Sequence, residues 1–300
     1  MKKCFLMVVA LMAAMSLTAC FGEETVVDAT TTQLEESVTN LGEGTTTSQT
    51  AKAPETTKIP ETSKTPEATK APEITKAPET TKAPEPTIIP DSSNLDYIEF
   101  DNGYFVIGIG SCTDSRIGIP STHNGKPVIG IADNAFGGNE QITAIHLPES
   151  VKIIQMYAFA YCPNLKSINL ENVKTIDRCA FYQCTGLERV ESACTFIEDS
   201  VFEGCSSLLS VKLTGDLELY GGAFAGCGKL KEVTLPGSIE YIDIRTFSNC
   251  TSLTDIYFLG TKEQWAAVER DDLEGDEAEL GWNHNTGNYT VHCTDGDVAK

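Results

Sequence analysis

The chain has 300 residues, of which 41% are hydrophobic, and a formal net charge of −21. That length can bury a sizeable core. So negative a charge argues against nucleic acid and anionic lipid surfaces as docking partners, leaving basic partners, cations or plain solubility, the last as the default.

Met1-Lys2-Lys3 forms a positive n-region, and Phe5 to Met15 an apolar h-region too short for a stable membrane span. Leu17-Thr18-Ala19-Cys20 resembles a bacterial lipobox. That resemblance implies removal of residues 1–19 and lipidation of Cys20, with more than one acyl chain and therefore stable membrane anchoring. An ordinary signal peptide with an incidental Cys is the plainer alternative.

Residues 21–50 are Thr-rich and acidic, without Lys or Arg. A six-residue period follows, from Lys52-Ala53-Pro54-Glu55 to Lys82-Ala83-Pro84-Glu85. This stretch has no aromatic residue and cannot build a core. Its prolines favour extended polyproline II, so about forty such residues reach on the order of 120 Å at ~3.1 Å each. Residues 20–93 are therefore expected to form a lipidated Cys and a disordered Thr/Pro/Lys/Glu-rich stalk, whose threonines are candidate O-glycan acceptors. Lys and Glu balance within the stalk. The acidic excess lies downstream, where residues 91–300 hold 31 acidic and 14 basic residues.

Six phenylalanines then recur at near-constant spacing: Phe136, Phe159, Phe181, Phe202, Phe224 and Phe247. Three residues after each stands Asn139, Cys162, Cys184, Cys205, Cys227 or Cys250. Ile142, Leu165, Leu187, Leu208, Leu230 and Leu253 come three later, then Ile145, Ile168, Val190, Val211, Val233 and Ile256. Leu147, Leu170, Leu213, Leu235 and Phe258 add an i, i+2 partner, with Ser192 in the third rung. The i, i+2 pair puts both side chains on one face of a short strand. The i, i+3 steps predict a tight helical or 3₁₀ turn. A second extended segment carries Val151 and Ile154, Val173 and Ile176, and Ile239 and Ile242. One such unit cannot bury its apolar edge alone, so the rungs must stack.

The pattern resembles the BspA-type leucine-rich repeats, whose unit reads L-x-x-I-x-L-P-x-x-V-x-x-I-x-x-x-A-F-x-x-C. Leu230 to Pro236, then Ile239, Ile242, Thr246-Phe247 and Cys250 follow it. The resemblance spans about residues 97–293. The expected fold is a β-rich solenoid of about six rungs of about 22 residues. It would be capped at 94–134, repeat over 135–260 and be capped again at 261–300. Tyr104 to Pro120 reads as a hairpin or half-rung, Thr261-Lys262-Glu263-Gln264 as a capping box opening a helix with Trp265 and Val268, and Tyr289–Cys293 as a closing strand. Ser192 and the run Asp216–Leu219 depart from the unit, and local irregularity is expected there.

The eleven cysteines include no C-x-x-C pair, which argues against zinc. The five ladder cysteines are expected to be buried free thiols acting as small hydrophobes. Asp271 to Glu279 is densely acidic but lacks EF-hand register, so a solvated loop is preferred to calcium. His123, His146, His284 and His292 show no ligand spacing, and no nucleophile elbow, P-loop or dinucleotide fingerprint occurs. No catalytic residue, metal ligand or cofactor is assigned, and the chain is read as non-enzymatic.

Strand residues between the core positions form two columns expected on a concave face: His146, Asn169, Glu191, Lys212, Thr234, Tyr257 and Ala144, Ser167, Arg189, Ser210, Glu232, Asp255. The candidate ligand-binding residues are His146, Asn169, Arg189, Glu191, Lys212, Glu232, Thr234, Asp255 and Tyr257. Solvated outward positions are the plain alternative. The family resemblance implies adhesion to host or matrix proteins, glycans or other cells from a lipid-anchored site on the bacterial surface. The partners expected are thus a protein or glycan ligand and the membrane, not nucleic acid. An envelope-organising protein that binds the cell's own wall is the main rival, and an accessory carbohydrate-active enzyme or peptidase the lesser one.

Overall fold

The computed structural model describes residues 89–270 and 281–300. The signal segment, Cys20, most of the stalk and the acidic run at 271–279 lie outside the described residues. The described chain is a β-solenoid of short parallel strands.

Each turn of the solenoid has three sides. One side is a sheet that opens with an antiparallel hairpin, Asp96–Phe100 against Gly103–Gly108. It continues in parallel through Lys126–Ile131, Ile153–Ile154, Thr175–Ile176, Phe196–Ile197, Glu218–Leu219, Tyr241–Ile242 and Glu269–Arg270. The second side starts as three strands, Arg116–Gly118, Ala144–His146 and Ser167–Ile168. It resumes as Arg189–Ser192, Ser210–Leu213, Glu232–Leu235, Asp255–Phe258 and Thr290–Cys293, closed by antiparallel Gly296–Ala299. A bridge from Leu170 to Ser192 joins the two parts.

The third side is the corner built around each phenylalanine. Here the chain makes successive tight turns with i to i+3 bonds, such as Cys184 N–H to the Phe181 carbonyl at 3.1 Å and Leu187 N–H to Cys184 at 3.0 Å. These are tight i to i+3 turns, as the spacing predicts, and they do not continue into a helix. Two positions per rung, two residues before and two after each Phe, carry positive φ: Asn134 and Gly138, Tyr157 and Tyr161, Cys179 and Gln183, Ser200 and Gly204, Gly222 and Gly226, Arg245 and Asn249. A left-handed residue reverses the chain's curl, so a run of right-handed helix cannot propagate. The turns bond between rungs instead: the Phe136, Phe159, Phe181, Phe202 and Phe224 N–H groups each reach the carbonyl before the next phenylalanine, at 2.8–2.9 Å.

All six phenylalanines are 2% exposed or less. Neighbouring rings stack at 5.2–5.6 Å, within 8° of parallel. Trp282 ends the stack edge-on to Phe247 at 6.2 Å. Beside the rings runs a thiol ladder. Cys162, Cys184, Cys205, Cys227 and Cys250 each donate to the carbonyl of the phenylalanine one rung earlier, at 3.0–3.3 Å. All five are free and buried. No ladder phenylalanine precedes Phe136, and Asn139 in the first rung instead accepts from the Gln141 and Ile142 N–H groups at 2.8 and 3.0 Å.

Rung length varies in one place. From Phe to the next Ile or Val is always nine residues, and from the second-segment apolar residue to the following Phe always five. The link between the two sheets takes up the difference: Leu147 to Ile154, Leu170 to Ile176, Ser192 to Ile197, Leu213 to Leu219 and Leu235 to Ile242. The irregularity expected at Ser192 and at 216–219 is therefore confined to this link. Ser192 keeps register with Leu213, and Leu219 with Ile242. Ser192 belongs to the shortest link, where its buried hydroxyl donates to the Leu170 carbonyl (3.3 Å) and accepts from Cys194 N–H (3.2 Å). A leucine could do neither.

The ends are closed as the local patterns imply. The helix Lys262–Ala267 has Thr261 as N-cap in a full capping box with Gln264, and it buries Trp265. Trp282 meets Trp265 and Tyr289 edge-on, and Trp265 packs tilted against Phe258 of the last rung at 5.3 Å.

Phe202→Ala, in the middle of the stack, is expected to cost about 3–5 kcal/mol in denaturant unfolding, because a deletion flanked by two rings cannot collapse. Burial pushes the Cys162 thiol up to about 11 and those of Cys205 and Cys250 up to about 12. In alkylation at pH 8, only Cys112 and Cys293 among the nine described cysteines should react in the folded chain. All nine should react in denaturant without reductant. Loss of the ladder thiols there would show that they form disulfides.

Candidate functional site

The register of the second sheet builds two continuous outward columns. Glu191, Lys212, Thr234, Tyr257 and His292 pair in sequence across five strands. Arg189, Ser210, Glu232, Asp255 and Thr290 do the same. The core residues between them, Val190, Val211, Val233, Ile256 and Val291, are 3% exposed or less. Strand alternation thus aims every polar member away from the core.

The charges on this face are lightly held. Lys212 pairs with Glu191, both about half exposed. Such pairs contribute about 0–1 kcal/mol, so an incoming ligand can re-pair them cheaply. Arg189 donates to the Ser210 hydroxyl at 3.3 Å. At the C-terminal end, His292 lies between Asp255 (2.8 Å) and Asp297 (3.0 Å) and stacks on Tyr257 at 4.9 Å. Burial opposes charge on the imidazole, but the two carboxylates outweigh it and raise the His292 pKa above its ordinary 6.5. Burial likewise opposes charge on Asp255, yet hydrogen bonds from His292 and Thr254 hold its pKa below the usual value. Burial, with Asp255 and Glu232 nearby, raises the Tyr257 phenol.

Seven of the nine candidate residues share this sheet: Arg189, Glu191, Lys212, Glu232, Thr234, Asp255 and Tyr257. His146 is exposed but sits on the three-stranded part, paired with Gly118. Asn169 is committed to the backbone. Its amide accepts from Leu147 N–H at 2.7 Å and donates to the Leu147 carbonyl at 2.9 Å. These two hydrogen bonds continue the ladder where the strand Ser167–Ile168 stops. Ala144, expected in the second column, is buried. His292 and Asp297 complete the face but escaped the sequence reading. They follow the last repeat, although the closing strand around Val291 was visible, and extending its register by one rung would have found His292.

No group of three metal-ligating side chains occurs among the described residues. His123 stacks on Tyr97 at 3.9 Å. Asp177 has its pKa raised to about 7 by burial and by Glu198 and Asp133. A carboxyl so perturbed is what general acid–base chemistry uses, but Asp177 lines neither the Gln183–Asn249 concavity nor the one beside Trp282, and burial, with the neighbouring acids second, accounts for the shift.

The fold defines a leucine-rich-repeat β-solenoid. Residues 129–254 match the family model described as BspA type leucine rich repeat region, in 6 copies. Among solved structures, the chain is similar to a T. pallidum leucine rich repeat protein, at 26% identity over 54% of this chain and 78% of that one, with a TM-score of 0.51. A leucine-rich repeat protein from Eubacterium ventriosum matches at 20% identity over 64% of this chain and 50% of that one, TM-score 0.48. The pneumococcal vaccine antigen PcpA matches at 18% identity, over 65% and 48%, TM-score 0.41. No curated protein matches the chain significantly.

Because the folded pKa of His292 is raised, protonation stabilises the closing hairpin fully below pH 6.5 and that contribution fades as pH rises through the folded pKa. In an NMR titration His292 should titrate above 6.5, and Asp255→Asn should move its midpoint down. An unshifted midpoint in that variant would mean the pair does not form in solution.

Proposed function

We propose that this chain is a non-catalytic binding module, displayed on the outer face of a bacterial membrane by lipid on Cys20 and carried outward by its stalk. Adhesion to a protein ligand, through the outward face of the second sheet, is the reading we favour. The observation that supports it most is the pair of unbroken polar columns, in which Arg189, Lys212 and Tyr257 stand among acceptors. Arg and Tyr are the residue types that most often anchor interfaces, and repeat solenoids present extended surfaces suited to extended partners. Weakly held charges at the N-terminal edge and carboxylates toward His292 offer a partner both signs within one sheet.

The test is direct binding of the purified chain to an array of matrix proteins and mucins at physiological salt. A saturable protein ligand is expected, and replacing Arg189, Lys212 and Tyr257 together with Ala should weaken it at least a hundredfold without lowering the thermal midpoint by more than a few degrees. Binding unchanged in that variant would remove this face from the function.

A further inference from the structure

A different part of the surface, the phenylalanine corner, carries its own groove. Gln183, Gly204, Gly226 and Asn249 line it, the Gln183 amide lying over Gly204, and Glu203 and Arg245 pair beside them at 3.7 Å. Its volume is about 290 Å³. The groove follows one structural position, two residues after each Phe, which runs Gly138, Tyr161, Gln183, Gly204, Gly226, Asn249. Every member has positive φ, and the Cβ of any L-residue is crowded there.

Three rungs meet that demand with glycine and one with asparagine, but the second rung places Tyr161 there at φ 57°. Tyr157, at the other left-handed position of the same rung, has φ 56°. A bulky residue in this region costs about 1–2 kcal/mol relative to the right-handed form. Neither ring is buried in the core: Tyr161 is 56% exposed and Tyr157 40%. Tyr161 packs edge-on against Tyr182 at 5.4 Å, next to Gln183, which lines the groove. Backbone strain held in place beside an exposed aromatic platform is the kind of feature that function retains.

The geometry points to a binding site for a neutral, linear oligosaccharide along this corner, with Tyr161 and Tyr182 as the stacking platform and Gln183, Glu203, Arg245 and Asn249 as the hydrogen-bonding rim. A pyranose offers a face of C–H bonds that suits the negative face of an aromatic ring, and hydroxyls that both donate and accept. Planar amides, a carboxylate and a guanidinium supply both roles, and the paired Glu203 and Arg245 leave the rim without net charge. An extended peptide fits less well. The backbone N–H groups of Gly138, Tyr161, Gln183, Gly204, Gly226 and Asn249 are already spent on bonds to the next rung, so no strand can be added here. From Tyr161 to Asn249 the site spans five rungs, about 19 Å at ~4.8 Å per rung, or roughly four sugar units.

The experiment is calorimetric titration of the full chain with chitotetraose, cellotetraose and maltotetraose, then with soluble peptidoglycan strands and with neutral mucin O-glycans. At least one tetrasaccharide should bind saturably. Tyr161→Gly should weaken it at least tenfold while leaving the thermal midpoint unchanged or higher, because glycine relieves the strained φ; a purely structural tyrosine would lower the midpoint instead. Gln183→Ala should weaken binding several-fold, and the Arg189, Lys212 and Tyr257 triple variant should bind sugar as the parent does. Binding of wall strands alone would support the groove with the cell's own envelope as source, and binding of mucin glycans alone would support it with a host surface as source. Absence of saturable binding to every probe, or full binding by Tyr161→Gly, would overturn the site and leave the protein-binding face untouched.

Discussion

A rung of about 22 residues cannot cover its own apolar edge, so each rung depends on a phenylalanine ring arriving directly above another. That stack sets the rest. The rings lie 5.2–5.6 Å apart and nearly parallel. This matches the spacing of paired strands closely enough that side-chain stacking and backbone ladder reinforce each other. The thiol ladder ties the two together. A cysteine donates to the phenylalanine carbonyl one rung earlier, so the same residue fills space and satisfies a buried acceptor. A Ser here would bury a more polar group, and an Ala would remove the second donor from a carbonyl such as that of Phe181, leaving only the backbone N–H of Cys184.

Because that corner is invariant, variation is exported elsewhere. The link between the sheets absorbs the changes in rung length, from five residues after Ser192 to seven after Leu147 and Leu235. The first consequence is a second sheet with straight register, in which outward residues fall into columns whatever the link does. A second consequence is that the left-handed positions flanking each Phe become a fixed surface feature. Glycine there leaves a groove, and tyrosine there builds a platform. Both candidate binding surfaces are therefore by-products of one packing rule, one on the sheet and one on the corner.

The electrostatics follow the same division. The N-terminal edge of the sheet carries exposed, exchangeable charge in Lys212 and Glu191. The C-terminal end is more tightly wired, with His292 held by two carboxylates and stacked on Tyr257. A ligand bridging both would meet an adaptable region and a pre-organised one, and the latter costs less to order on binding.

Much of this was legible in the amino-acid sequence. The Phe-x-x-Cys-x-x-Leu-x-x-Ile phase located the core, the rungs and the outward columns, because strand alternation and stacking leave no other arrangement that buries six phased aromatics. The capping box at Thr261 and the closing strand near Val291 were likewise visible, since both are local patterns. Tertiary structure alone decided four things. It showed that the Phe corner is a chain of turns with left-handed residues, since Tyr161 and Gln183 give no local sign of positive φ and adopt it only because the rungs on either side demand it. It set the Asn169 amide in two hydrogen bonds to the Leu147 backbone of the neighbouring rung. It carried the columns on to His292 and Asp297, whose partners are distant in sequence. It also gathered Gln183, Gly204, Gly226 and Asn249 into one groove, a proximity created by stacking and invisible within any single repeat.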